Sequence, residues 1–213
     1  MIVTIDGPSG VGKGTLARNL AKHFNLKHLD TGRLYRALGL ICLEKGVDLE
    51  NSKSVTEIAK GLCFETLSNS RLSDDDVAQA ASKVAVFPPV RQALLGFQKD
   101  FCTPPFKEGK GVILDGRDTG TVICPNADFK FFLNANTQAR AQRRFEELRS
   151  RQRDVIYEDI LEDLVCRDRR DTSRSVAPLV AAEDAITLDS SHLTADQVFQ
   201  KAVLIIEEKI ANA

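Results

Sequence analysis

The run Ile5-Asp6-Gly7-Pro8-Ser9-Gly10-Val11-Gly12-Lys13-Gly14-Thr15 stands almost at the start of the chain and restricts the fold more than any other stretch. Ahead of it, residues 2–6 are a short apolar run ending in an acid, the pattern of a buried strand. Behind it, from Lys13 onward, Leu16, Ala17, Leu20 and Phe24 recur at helical spacing. Strand, glycine-rich turn and helix in that order make a phosphate cradle. The glycines leave backbone N–H groups free to converge on an anion, and the helix directs its positive end at the same point. Lys13 adds a full charge that can follow a transferred phosphoryl group. The pattern G-x-x-x-x-G-K-[ST] is met from Gly7 to Lys13, but Gly14 fills the hydroxyl position and Thr15 follows it. Mg²⁺ is therefore expected on the phosphates and water of a bound nucleotide, with Thr15 on a phosphate and no metal ligand supplied directly by the protein. The other reading, a glycine-rich turn with no ligand, does not account for the lysine and the helix that follow it.

The rest of the chain repeats the same alternation. Residues 112–114, 129–133 and 185–188 are short apolar runs, and helical patterns cover 137–148, 156–170 and 194–210. Leu34, Leu38, Ile41 and Cys42 mark another amphipathic helix, with Gly46 as its stop. Buried strands alternating with helices predict an α/β fold with a central parallel sheet covered on both faces. Ligands of such sheets collect at the carboxyl ends of the strands, where Asp6, Asp115 and Asp189 are expected. Residues 51–76 break the rhythm, with a weak strand at 62–65, before a helical stretch through Phe87; residues 51–106 read as an insertion within one domain, with a new helix starting at Pro88-Pro89. The formal net charge of −1 argues against nucleic acid as a partner. No apolar stretch reaches membrane-spanning length and no leader pattern opens the chain. The five cysteines contain no Cys-x-x-Cys pair and read as unpaired thiols of a reduced, cytoplasmic protein.

Ten of the sixteen arginines lie between Arg140 and Arg174, a segment without lysine. Arginine alone suggests two-pronged recognition of phosphate or carboxylate. The interleaved acids offer the plainer alternative, a solvated helical face of Glu/Arg pairs, and about half of these arginines fit it. Arg149, Arg151 and Arg153 fall between two helices, where a short lid at 149–159 could bring them over a triphosphate and exclude water. Arg167, Asp171 and Arg174 share one helical face. In Asp115-Gly116-Arg117-Asp118, Asp115 reads equally as a structural acid for loop amides or as a site residue. Arg117 suits a phosphate.

Taken together, IDGPSGVGKGT, LDTGRLYR, AASKVAVFPPVR, DGRDTGT, RDRRDTSRSVAP and LDSS resemble the bacterial cytidylate kinases over nearly the full chain. The resemblance implies a P-loop kinase fold with a monophosphate-binding insertion and a short arginine-bearing lid. It implies transfer of the γ-phosphoryl group of ATP to CMP or dCMP, with Mg²⁺, in the cytoplasm, by a monomer that meets neither nucleic acid nor membrane. Gly7, Pro8, Ser9, Gly10, Val11, Gly12, Lys13, Gly14 and Thr15, with Arg149, Arg151 and Arg153, would hold ATP. Thr31 and Arg36 would hold the monophosphate, with Tyr35 supporting them. Ser82, Arg91 and Asp118 would meet the pyrimidine, and Arg167 and Asp171 the sugar. Asp115 stands among these monophosphate-side residues, while Lys13, Arg117 and Arg174 would carry the transfer. A carboxylate such as Asp118 accepts from the N4 amino group of cytosine and repels the carbonyl of uracil. The acceptor phosphate is already anionic, so no general base is needed, and His23, His28 and His192 read as incidental.

Many members carry a longer insertion with a small antiparallel sheet where this chain has FETLSNSRLSDDD. Two other readings are a P-loop kinase of a hydroxylated metabolite, with Asp30 or Asp118 as base, and a non-catalytic nucleotide-sensing switch.

Overall fold

Among the described residues five short strands, β1 (Ile2–Asp6), β2 (Lys27–Asp30), β3 (Val112–Gly116), β4 (Phe129–Asn134) and β5 (Ile186–Asp189), pair in the order β2-β3-β1-β4-β5. Every pairing is parallel. The computed structural model describes residues 1–62, 64–104, 106 and 110–212, the side chains of residues 64 and 65 excepted. One face of the sheet is Val3, Ile5, Ile113, Phe129, Phe131 and Leu133. It packs on Leu16, Ala17 and Leu20 of helix α1 (Lys13–Phe24) and on Val198, Ala202, Val203 and Ile206 of helix α8 (Ala195–Ala211). The other face presents Leu29, Val112 and Leu114 to Leu95, Phe97 and Phe101 of helix α5 (Pro88–Phe101). Strands buried on both sides read as unbroken apolar runs, which is why β1, β3 and β4 are legible in the sequence.

Among the described residues five more helices complete the helical layers: α2 (Thr31–Glu44), α3 (Ser52–Lys60), α4 (Asp75–Val84), α6 (Thr137–Ser150) and α7 (Tyr157–Ser173). α3 lies in the stretch that the sequence leaves without an element, and it is capped by Asn51, whose side chain accepts from the Ser54 N–H. The described residues of the stretch 51–106 build a core of their own against α2, with Leu34, Leu38 and Cys42 meeting Val55, Ala59, Val84, Val90 and Leu94. Gly39 permits this, because a Cβ there would come within 2.9 Å of the Ala81 backbone nitrogen. That close approach of α2 and α4 is what carries Ser82 to the cleft described below.

Two expectations fail. The strand at 62–65 is not formed: the backbone there enters a 3₁₀ helix, Phe64–Ser68, and Cys63 lies outside the described residues. The reason is that Leu62 and Leu67 pack on Ala37, Leu40, Leu72 and Val77, a helical surface with no strand edge to pair with. The cysteines are also not all unpaired, since Cys102 and Cys124 are joined by a disulfide. Separation along the chain hides this pairing. The end of α5 and the turn after β3 meet in one cluster on a face of the sheet. Cys42 is free and buried, and Cys166 is free and exposed. Among the described residues, no helix is long and apolar enough to cross a membrane.

Candidate active site

A cleft of about 380 Å³ opens at the carboxyl end of the sheet, between the turn after β1, the start of α2, and the helices α4, α5 and α7. At one end the glycine-rich turn enters α1 through Gly12, whose φ of 98° is left-handed and suits glycine. The turn is held from outside. Arg140 on α6 donates to the Ser9 carbonyl at 2.9 Å, and Ser190, after β5, donates to the Val11 carbonyl at 3.3 Å. Arg140 is itself fixed by Asp168 at 2.6 Å and by the Ala135 carbonyl. Lys13 is buried, and its ammonium folds back onto the Pro8 carbonyl at 2.7 Å. Burial, with Arg117 close by, lowers its pKa to about 7.

The opposite wall begins at β3. Asp6 at the end of β1 accepts from the Thr119 and Gly120 N–H groups, both at 2.8 Å. Asp6, not Asp115, is thus the acid that holds loop amides, and its desolvation raises its pKa. So anchored, the turn after β3 directs Arg117 and Asp118 into the cleft. Arg117 Nε meets Asp171 on α7 at 2.6 Å, and Asp118 meets Arg91 on α5 at 2.6 Å. Arg174, at the end of α7, lies 3.7 Å from Asp118 and 3.8 Å from Asp171. The Arg91 guanidinium also sits 5.4 Å from the centre of the Tyr35 ring. Although burial works against charge at Asp171, Arg117 holds its carboxyl below the usual range.

These pairs leave part of the wall unsatisfied. Ser82 Oγ, Arg167 Nε and one terminal nitrogen of Arg174 are buried without a hydrogen-bond partner. Arg167 is crowded as well: burial and the neighbouring charges of Arg117 and Arg36 lower its pKa to about 10. Buried donors and crowded cations of this kind call for an anionic, hydrogen-bonding ligand.

Ser9 to Thr15, Thr31, Tyr35, Arg36, Ser82, Arg91, Asp115, Arg117, Asp118, Arg167, Asp171 and Arg174 all line this one cleft. Gly7 and Pro8 do not line it. Arg149, Arg151 and Arg153 lie apart from it, Arg149 stacked 5.6 Å from Phe145 and Arg151 paired with Glu147 at 2.8 Å. Asp189 is turned to its own loop, accepting from the Ser191 N–H. The sequence did not mark the bracing roles of Asp6, Arg140 and Ser190. It also missed His28, whose Nε2 lies 2.6 Å from Asp115 Oδ1. The signal that could have found Arg140 was its place in the first turn of the helix that follows β4.

The family model described as cytidylate kinase matches residues 3–208. Cytidylate kinases from Rhodospirillum rubrum and Paramagnetospirillum magneticum are 46% and 49% identical to the chain, each over 98% of both chains. Such coverage leaves no room for a long extra insertion in either relative. A sugar kinase from Janibacter sp. superposes with a TM-score of 0.51 at 13% identity, over 97% of this chain and 94% of its own, a likeness of fold.

Proposed function

The chain belongs to the cytidylate kinase family and is an ATP:CMP phosphotransferase, and on that premise we propose how its residues divide the work. One observation carries the reading: Ser82 Oγ, Arg167 Nε and a terminal nitrogen of Arg174, buried without a hydrogen-bond partner, belong to residues that line the same cleft as the glycine-rich cradle. A nucleoside monophosphate supplies the acceptors those donors lack, and its phosphate then points toward the end where ATP would lie.

In this assignment Gly7 to Thr15 hold the ATP phosphates, and Lys13 leaves the Pro8 carbonyl to follow the γ-phosphoryl group. Thr31 and Arg36 take the acceptor phosphate, with Arg117 between donor and acceptor. Tyr35, buried under Arg91, supports that wall. Ser82, Arg91 and Asp118 read the pyrimidine, while Arg167 and Asp171 hold the sugar, so dCMP would be accepted beside CMP. Arg174 sits where it can join base and phosphates. Two anionic phosphates repel each other, and the work of the site is to hold them in line while positive charge offsets that repulsion. Neither carboxylate needed by a hydroxyl-acceptor kinase is free: Asp118 is bound to Arg91, and Asp30 caps α2.

Mg²⁺ fits as a hydrated ion carried by the nucleotide. Hard oxygen donors, Thr15, Asp30 and Asp115, flank the cradle, and Asp115 Oδ2 would lie 3.8 Å from a Cβ placed at Gly14. Thr15, Asp30 and Asp115 would face that ion's water shell, and the chemistry it would supply there is charge neutralisation during the transfer. Residues 51–106 act as the monophosphate-binding insertion, and residues 149–159 as a lid that closes Arg149, Arg151 and Arg153 over ATP. The cleft is complete within one chain, which supports a monomer, and the near-neutral charge supports small-molecule partners without nucleic acid. Its nucleotide substrates imply a cytoplasmic enzyme.

The test is ADP production from ATP and Mg²⁺ with CMP, dCMP, UMP and AMP offered singly. Turnover with the two cytidine nucleotides and little with the others is expected. Turnover with none of them would overturn the acceptor.

A further inference from the structure

His28 lies on the edge strand β2 with its side chain only 18% exposed, and it does not line the cleft. Its Nε2 stands 2.6 Å from Asp115 Oδ1. An ionised carboxylate only accepts hydrogen bonds, so Nε2 carries the proton and donates. The β2–β3 register sets Asp30 opposite Asp115, and His28 lies two residues before Asp30 on the same face of β2. Two carboxylates therefore share the strand ends. Asp30 is engaged with the start of α2, where it accepts from the Arg33 N–H at 3.2 Å. Asp115 is gripped from both directions: Thr31 Oγ1 donates to its main-chain carbonyl at 2.9 Å, and His28 donates to its side chain. Its other carboxylate oxygen is left toward the first turn of α1, beside Gly14.

We propose that His28 is a positioning residue, which holds Asp115 Oδ1 from behind so that Oδ2 stays presented to the hydrated Mg²⁺ of the bound nucleotide at the end of the glycine-rich turn. The proposal rests on the kinase reading. A carboxylate with a single-bond hinge can rotate toward Lys13 or Arg117, both of which are near enough to sense its charge. A hydrogen bond from the rear strand removes that freedom, as partners behind a metal-facing group generally do.

The experiment compares His28→Leu, His28→Gln, Asp115→Asn and the double variant His28→Leu/Asp115→Asn. Binding of ADP is measured by calorimetry with and without Mg²⁺, beside kcat and KM for CMP. The leucine variant is expected to bind MgADP and to turn over about 10-fold more weakly, while metal-free ADP binding and KM for CMP move less than about twofold. Glutamine, whose amide nitrogen reaches the place of Nε2, should restore most of the loss. The double variant should lose no more than Asp115→Asn alone, because His28 acts through that carboxylate. If the leucine variant does not fold, His28→Asn, polar but too short to reach Oδ1, replaces it. Equal losses with and without metal, a glutamine variant as poor as leucine, or additive losses in the double variant would each overturn the proposal. Absence of CMP turnover in the unaltered protein would overturn the kinase reading instead.

Discussion

The two ends of the cleft are made of different material. The glycine-rich end is one contiguous stretch of backbone, and its Pro8, Ser9 and Val11 carbonyls are engaged by Lys13, Arg140 and Ser190. The opposite end is made of side chains from α2, α4, α5, α7 and the turn after β3. It holds itself together with Arg–Asp pairs and still leaves Ser82, Arg167 and Arg174 with buried atoms that lack a hydrogen-bond partner. The backbone of the first end is finished by the protein itself, although Asp168 Oδ1 behind Arg140 also lacks a hydrogen-bond partner, and the second end is finished by the ligand. Substitutions should therefore separate the two: at the bracing residues stability falls, and at the unsatisfied ones binding falls while stability holds.

The largest effect is expected at Lys13, which belongs to the finished end but carries charge for the transfer. Lys13→Ala should lower kcat about 1000-fold, the scale of a lost charge contact to a transferring phosphoryl group. Its melting temperature should stay close to that of the unaltered protein, because burying this ammonium is unfavourable. Normal turnover in that variant would remove Lys13 from the mechanism.

Arg140 and Arg167 give the contrast its direct test. Arg140→Ala strips the Ser9 and Ala135 carbonyls of a donor and leaves Asp168 with one fewer partner, so a urea melt should show a loss of about 3 kcal/mol. Arg167→Gln relieves cation crowding, so the same melt should show no loss, while KM for CMP rises about 10-fold or more. If both variants lose stability alike, the distinction between a finished and an unfinished end fails. Asp118→Asn sharpens it further. It keeps a side chain of the same shape beside Arg91 but removes the formal charge, and the preference for CMP over UMP should narrow by about 1–3 kcal/mol. An unchanged ratio of kcat/KM values would exclude Asp118 from base reading.

The same difference decides what the sequence disclosed. The cradle is local, with strand, turn, lysine and helix lying within the first 24 residues, and the spacing alone points to it. β1, β3 and β4 are legible because both faces of each are buried. β2 is not, since only Leu29 of its four residues is buried. α3 escaped because its signal is a polar cap, Asn51, ahead of a short apolar face. The acceptor wall could be assembled only through resemblance, because no periodicity links Ser82 to Asp118 or Arg167. The supports behind the site stayed hidden for the same reason. Nothing in the spacing connects Arg140 to Ser9, or His28 to Asp115, until β2, β3 and α6 take their places. The Cys102–Cys124 bridge is a further case, joining residues that only the fold brings together.

The smallest expected effect concerns the proton of Lys13. Its pKa of about 7 lies far below the ordinary lysine value of 10.5, so folding releases protons between those two pH values. The unfolded chain then binds more protons there, and the contribution of Lys13 to stability rises with pH through that window and is lowest below pH 7. Binding a polyanion opposes the burial cost and returns the proton. At pH 7, MgATP binding should take up about half a proton per chain, rising toward one near pH 8. Calorimetry in buffers of different ionisation enthalpy reads this directly, and Lys13→Met should abolish it. Uptake that persists in the methionine variant would assign the proton to another group and leave Lys13 charged throughout. The glycine-rich end would then be finished in its charge as well as in its backbone, and the contrast with the arginine wall would be sharper than the structure makes it.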